Sequence, residues 1–209
     1  MSEQNKKIIR GLHRKDLTNI KYASALLDMA ISEKADDLQF ALEQAKEVQK
    51  IAARESRKKN SIEFANLYWK ATLMLAPYRF EDFLYYMERD RNPEKRFYMP
   101  RRRTLKVVVD DLQDLEDGKL DFYGLSMPPR VGKSTICIFF MAWIMGKRPN
   151  SHNAMSGHSG ILADGFYSEA LNLMELDVPE DKRQYHFTDI FPQTFLMKKS
   201  AEKKEVTLN

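Results

Sequence analysis

The sequence has little cysteine and no long hydrophobic run. Cys137 is the only cysteine, so no disulfide bond forms within the chain. It lies in an apolar stretch, where a thiol usually acts as a small hydrophobic group. The longest apolar run is too short to span a bilayer, and residues 1–14 lack the apolar centre of a secretory signal. We therefore expect a soluble intracellular protein with no membrane contact.

The sequence also lacks internal repeats, low-complexity segments and a strong excess of one charge. The absence of a fixed period argues against a solenoid. A formal net charge of +4 and a pI near 9.0 permit binding to nucleic acid but do not require it. The distribution is more informative, because residues 89–103 hold seven basic residues against two acidic ones. The seven basic residues are Arg89, Arg91, Lys95, Arg96, Arg101, Arg102 and Arg103.

The first third of the chain has the apolar spacing of helices. Apolar residues recur at helical intervals over residues 16–33 and, more weakly, over 36–57, which predicts a helical hairpin. Residues 54–60 are polar and basic, which is typical of a linker or a helix end. We place the domain boundary after this segment, with an N-terminal helical region at 1–67 and a second domain at 68–209.

The segment from Met127 to Thr135 resembles a phosphate-binding loop. The usual pattern is Gly, four residues, then Gly-Lys-Ser or Gly-Lys-Thr, between a buried strand and a helix. Gly132, Lys133 and Ser134 fit this pattern, whereas Met127 replaces the first glycine. Residues 120–126 are predicted to form the strand and 136–145 the helix. The alternative is a chance Gly-Lys-Ser tripeptide in a loop.

Each residue of the loop has a chemical reason to be there. Lys133 supplies a positive charge for the β- and γ-phosphates of ATP, and the Ser134 hydroxyl is suited to bind Mg²⁺. Gly132 lets the backbone approach the phosphates closely. Prolines 128 and 129 stiffen the turn by fixing φ. We therefore predict ATP and Mg²⁺ as cofactors, Ser134 as the metal ligand, and a nucleotide-binding loop comprising Pro129, Arg130, Val131, Gly132, Lys133, Ser134 and Thr135.

A second segment imitates a catalytic motif. Residues 107–111, Val-Val-Val-Asp-Asp, look like the apolar strand with two carboxylates that holds Mg²⁺ in phosphate-loop ATPases. However, Leu105, Val108, Val109 and Leu112 keep helical spacing, and Gly118 follows as a natural helix stop. The segment is therefore predicted to be an amphipathic helix with solvated aspartates.

The region after the loop completes the predicted fold. Residues 153–156 have the pattern of a short strand and 161–174 that of a helix. The order strand, loop, helix, strand, helix predicts an α/β fold: a phosphate-loop NTPase-type three-layer fold with an incomplete parallel sheet, preceded by the N-terminal α-helical region. No apolar strand ending in Asp-Asp or Asp-Glu follows the second of these strands.

Several motifs in this order resemble the ATPase domain of the large terminase subunit of tailed bacteriophages. The loop 125–135 has that family's Pro-Pro-Arg-x-Gly-Lys-Ser form and precedes an apolar helix and a Gly-x-x-Pro turn at 146–149. Residues 154–159 resemble its next strand end, 162–166 its Leu-Ala-x-x-Phe helix, and 190–192 its downstream Phe-Pro segment. The resemblance covers about residues 68–209, and residues 1–67 match no motif of the family.

This resemblance implies an ATP-driven motor that packages double-stranded DNA into a procapsid in the host-cell cytoplasm. The implied partners are DNA, the portal protein and the small terminase subunit, and the implied assembly is a homo-oligomeric ring. Arg130 and Lys133 are the implied catalytic residues, with Arg130 as an arginine finger at the γ-phosphate, although a salt bridge at the rim is an equal alternative. The segment 97–102 resembles the family's part that packs near the adenine base, which suggests Tyr98 and Arg101 for nucleotide contact, with core packing as the alternative.

The family's nuclease domain, acidic metal-binding strand and catalytic glutamate have no counterpart in this sequence. We therefore expect a nucleotide-binding segment whose hydrolysis depends on further residues, as in a fragment, a split gene product or a truncated chain. Two other functions remain open. One is a non-hydrolytic interaction module whose N-terminal helices bind a partner, and the other is a different phosphate-loop NTPase such as a kinase or helicase.

Overall fold

A computed structural model describes residues 16–174, 185–194, 196–200 and 205–208. These residues are mostly helical and form two compact units, which divide between Leu75 and Ala76. The boundary predicted at 67/68 falls inside the last helix of the first unit. Each unit is described by itself.

From residue 16 onward, the first unit contains three α-helices: α1 (Ile20–Ser32), α2 (Leu38–Lys59) and α3 (Ile62–Leu75). The first two begin with side-chain caps. The Asn19 side chain accepts a hydrogen bond from the N–H of Lys21 at 3.0 Å. Asp37 accepts one in the same way from Phe40, at 3.1 Å. The predicted helical hairpin is confirmed, and α3 packs against it as a third helix.

The core of this unit follows the predicted apolar stripes. Small side chains allow α1, α2 and α3 to approach closely, and the buried set includes Ala23, Leu27, Ala30, Ala41, Ala45, Val48, Ala52, Ala71 and Leu75. The amide of Gln49 is buried with them and donates to the Thr72 hydroxyl at 2.9 Å. The basic segment at 54–60 is a helix end, because α2 continues to Lys59 and Asn60 adopts the left-handed conformation at φ 48°.

The second unit contains five helices and a hairpin among its described residues. The helices are α4 (Phe80–Met87), α5 (Tyr98–Glu116), α6 (Lys133–Lys147), α7 (Gly160–Met174) and α8 (Phe187–Ile190), and the strands are β1 (Leu196–Ser200) and β2 (Glu205–Leu208). The strands are antiparallel, with Leu196 opposite Leu208. The helices predicted at 136–145 and 161–174 are confirmed as α6 and α7. The Val-Val-Val-Asp-Asp segment is also helical, as predicted, because it lies within α5.

Aromatic side chains join α4 to α6 in the core of this unit. Trp143 is fully buried, and its indole N–H donates to the carbonyl oxygen of Ala76 at 2.9 Å. The centroids of the Phe80 and Trp143 rings are 5.3 Å apart. Gly146 lies in the last turn of α6, where a Cβ would overlap the ring of Phe191. Gly146 therefore allows close packing between α6 and Phe191. Helix α6 ends at the next residue, Lys147.

The prediction of a three-layer α/β fold is wrong. Residues 120–126 and 153–156, the predicted parallel strands, contain no strand, and the hairpin β1–β2 is the only sheet among the described residues. The side chain of Phe122 is 83% exposed, so residues 120–126 do not form the buried strand that the motif requires. The apolar helix α6 packs against α4 and Phe191 through aromatic contacts. Its hydrophobic surface is thus buried without a parallel sheet.

Of the four lysines near the end of the chain, Lys198 and Lys199 belong to strand β1, whereas residues 203 and 204 lie outside the described part of the chain. In the described ranges, no helix combines the length and the apolar character needed to cross a membrane.

Candidate functional site

The loop before α6 holds two residues in the left-handed conformation. Arg130 has φ 65° and Gly132 has φ 98°. A non-glycine residue at positive φ is uncommon and costs conformational energy, and such positions concentrate at functional sites. Together these two residues turn the chain so that α6 begins immediately at Lys133.

The N-terminus of α6 has no side-chain cap. The first backbone bond of the helix runs from the N–H of Ile136 to the Gly132 carbonyl, at 3.0 Å. The N–H groups of Lys133, Ser134 and Thr135 precede it and have no acceptor within the helix. They carry the positive end of the helix dipole, an arrangement that favours an anion.

Lys133 closes the loop on itself. Its ammonium group donates to the carbonyl oxygen of Met127 at 2.7 Å, six residues earlier. An ammonium group has three donors, so this bond leaves others for a ligand. Because the Lys133 side chain is partly exposed, its charge stays accessible from the loop.

A cleft of about 450 Å³ lies in front of this helix end. Four of its lining side chains are cations and one, Glu94, is an anion. The lining residues are Glu94, Arg96, Phe97, Arg101, Arg130, Gly132, Lys133, Ser134 and Thr135. None of the ion pairs found among the described residues involves Arg130, which is exposed. The cleft is therefore electropositive.

Two of the cationic side chains are fixed by backbone carbonyls. The Arg96 guanidinium donates to the carbonyl oxygen of Arg91 at 2.9 Å and to that of Arg89 at 3.1 Å. Arg101 donates to the carbonyl oxygen of Phe97 at 3.2 Å. These bonds hold the guanidinium groups without neutralising their charge, since a carbonyl is a dipole and carries no net charge.

A buried carboxylate, which the sequence did not reveal, anchors one wall of the cleft. Glu88 is 1% exposed and accepts hydrogen bonds from the backbone N–H groups of Phe97, Tyr98 and Met99 at the start of α5. The Tyr98 N–H lies 3.0 Å from each carboxylate oxygen. A carboxylate at a helix N-terminus is stabilised by both hydrogen bonds and the helix dipole. Glu88 caps α5 from ten residues away, so no local capping motif marks it.

The cap on α5 positions Phe97 directly against the loop before α6. A Cβ at Gly132 would overlap the Phe97 ring, and the same ring lies 5.6 Å from that of Phe139 on α6. Gly132 is thus required both for its positive φ and for this close approach. Phe97 therefore connects the two features: its backbone N–H donates a hydrogen bond to Glu88, and its ring packs against the turn before α6.

The structure brings together most, but not all, of the residues predicted for nucleotide binding. Arg101, Arg130, Gly132, Lys133, Ser134 and Thr135 line the cleft, whereas Pro129, Val131 and Tyr98 do not. Tyr98 is fully buried, and its hydroxyl donates to Glu81 at 2.8 Å. Burial raises the pKa of the Tyr98 phenol, and the hydrogen bond to Glu81 acts in the same direction. In this structure its ring is part of the core and offers no face to a nucleotide.

The residues present fit a magnesium ion that is carried by a nucleotide. Among the described residues there is no cluster of three or more His, Cys, Asp or Glu side chains suited to a metal ion. Mg²⁺ in nucleotide sites usually needs only one or two protein ligands, because phosphates and water supply the rest. The exposed Ser134 hydroxyl at the helix start matches that requirement.

The histidines divide into two groups. His152 and His158 are exposed near the predicted second strand. His186 lies between two carboxylates: its Nε2 is 3.1 Å from Asp90 and its Nδ1 is 2.9 Å from Asp189. The contact with Asp90 bridges almost a hundred residues, so no spacing motif reveals it. His13 lies outside the described residues.

Comparison of this chain with protein-family models, with curated proteins and with solved structures finds no match. The resemblance to the large terminase subunit therefore depends on the sequence motifs alone.

Proposed function

We propose that the loop 127–135 and the N-terminus of α6 bind the triphosphate of ATP together with Mg²⁺. The main support for this proposal is that the N-terminus of α6 has no side-chain cap and opens on an electropositive cleft. Three backbone N–H groups, the helix dipole and four cationic side chains all favour a compact polyanion there.

Each residue of the cleft has a separate role in this proposal. The ammonium group of Lys133 neutralises phosphate charge, and the exposed Arg130 reaches the terminal phosphate from the loop. Arg96 and Arg101 contribute positive charge that backbone carbonyls hold in place. The Ser134 hydroxyl holds the Mg²⁺ that accompanies the nucleotide. That ion supplies neutralisation of charge on the phosphates.

The wider role that we propose is that of an ATP-binding segment of a DNA-packaging motor of the terminase type. The support is the ordered set of motifs at 125–135, 146–149, 154–159 and 162–166. Double-stranded DNA, the portal protein, the small terminase subunit and a homo-oligomeric ring enter as part of the same proposal. Hydrolysis in such a motor requires a catalytic carboxylate, which we do not assign to this chain.

Calorimetric titration with Mg-ATP tests the phosphate site. We expect saturable binding that weakens at least about tenfold in Lys133→Ala, because a charge-assisted hydrogen bond contributes about 1.5–3 kcal/mol. Arg103→Ala is the matched control, since it removes an exposed cation from α5 outside the cleft. Equal affinity of Lys133→Ala and the unaltered protein would contradict the proposed site.

Steady-state ATPase assays with and without double-stranded DNA separate the motor proposal from the interaction-module alternative. We assign no catalytic carboxylate to this chain, so the assay uses the chain within the assembled motor, which supplies that group. If the chain is part of a packaging motor, DNA should change the rate of ATP turnover in this assembly. A non-hydrolytic module predicts no turnover under either condition. Binding of Mg-ATP without any turnover in the assembled motor would refute the motor role and leave the phosphate site intact.

A further inference from the structure

A second cavity, of about 340 Å³, lies beside the phosphate cleft. Ser134 and Thr135 line both cavities, so the two adjoin at the start of α6. The cavity lies within the size range of about 300–1,000 Å³ that is typical of small-molecule pockets. Its remaining walls come from α6, from α7, and from Arg91 and Tyr185.

The walls of this cavity are mainly apolar and part of them is open to solvent. Ile138 and Phe139 come from α6, and Phe166 comes from α7. At the rim, the Ile161 side chain is 85% exposed and that of Leu162 is 37% exposed. Large apolar side chains grouped at a cavity mouth favour a ligand that brings apolar surface of its own.

Two charged side chains, Arg91 and Glu169, line the same cavity. The Arg91 guanidinium lies over the Tyr185 ring, 4.3 Å from its centroid. The Arg91 Nε atom is buried and has no hydrogen-bond partner among the described residues. Glu169 adds an exposed carboxylate as an acceptor. Apolar walls with a few donors and acceptors at their edge match a flat heteroaromatic ring.

The phosphate cleft itself offers no aromatic face to a base. Tyr98 is fully buried, and Phe97 is 8% exposed because its ring packs against Gly132 and Phe139. We therefore infer that the second cavity receives the nucleobase of the nucleotide whose phosphates bind at residues 132–135. This inference rests on the proposed phosphate site and assigns its base-binding part to the space between α6 and α7.

Filling the cavity tests this inference. A Cβ at Gly165 meets no atom within 4 Å, so Gly165→Leu adds a side chain to the cavity without a clash near the backbone. Leucine also has a higher helix propensity than glycine, so α7 is not weakened. Gly160→Leu is the control, because Gly160 lies on the same helix with equally open space but does not line the cavity.

Mg-ATP and magnesium tripolyphosphate are the two ligands to compare by calorimetry. We expect the unaltered protein to bind ATP more tightly than tripolyphosphate. Gly165→Leu should weaken ATP binding about tenfold, the size of one lost base-stacking contact, and leave tripolyphosphate binding unchanged. Gly160→Leu should change neither affinity. Thermal denaturation of both variants verifies that they are folded.

Three other results would overturn the inference. Unchanged ATP affinity in Gly165→Leu shows that the base does not occupy this cavity, and leaves the phosphate site standing. Equal weakening by Gly160→Leu assigns the effect to α7 in general. Absence of binding of both ligands to the unaltered protein removes the phosphate site and the base cavity together.

Discussion

Replacement of Glu88 by alanine is expected to lower the free energy of unfolding by about 3 kcal/mol or more, because three backbone N–H groups, two of them on buried residues, lose their acceptor. Those groups belong to Phe97, Tyr98 and Met99 at the start of α5. Glu88→Gln should cost less, since the amide oxygen still accepts hydrogen bonds but the negative charge at the helix N-terminus is lost. Urea denaturation of the two variants measures both values.

The control for this prediction is Asp121→Ala, which removes an exposed carboxylate from the same unit. It is expected to change stability by less than about 0.5 kcal/mol, as surface substitutions usually do. If Glu88→Ala unfolds at the same urea concentration as Asp121→Ala, the carboxylate is not the cap of α5.

Replacement of Gly132 by alanine is expected to impair both the stability of the loop and ATP binding. The backbone at this position has φ 98°, and a Cβ would overlap the Phe97 ring. Positive φ at a non-glycine residue costs about 1–3 kcal/mol, and displacement of the loop should weaken Mg-ATP binding at least about tenfold. Thermal denaturation and calorimetry provide the two measurements.

Gly118→Ala provides the matched control for this substitution. Gly118 has φ 71°, but a Cβ there meets no atom within 4 Å, so the variant carries the backbone strain without the overlap. It should lose some stability and bind Mg-ATP normally. Phe97→Leu in the Gly132→Ala background should recover part of the lost affinity. Normal Mg-ATP affinity in Gly132→Ala would refute the requirement for close contact between the loop and Phe97.

The sequence predicted the helices well because their signals are local. The apolar run that forms α6 and the periodic residues of α2 each determine their own element. The strands predicted at 120–126 and 153–156 were wrong. Residues 120–126 were predicted from their pattern to form the strand before the phosphate-binding loop, yet a strand forms only when another pairs with it. No such partner lies beside them in the described part of the chain.

The same limit applies to the candidate site: local spacing could be predicted from the sequence, whereas contacts between distant residues could not. Gly132, Lys133 and Ser134 follow a fixed spacing, so the sequence identified them directly. Glu88 and His186 act through contacts between distant parts of the chain, which no local pattern encodes. Tyr98 was predicted at a nucleotide from its position in a motif, but core packing of its ring and the hydrogen bond to Glu81 turn it away from the cleft.

In the proposed site, the first N–H groups of α6 receive the phosphates of a nucleotide. An amide-resolved NMR titration of ¹⁵N-labelled protein with Mg-ATP measures this directly. We expect the largest shifts at the amides of Lys133, Ser134 and Thr135, with smaller ones at the neighbouring loop residues. Unchanged amide signals at these three residues, at ligand concentrations that saturate any binding detected by calorimetry, would contradict it.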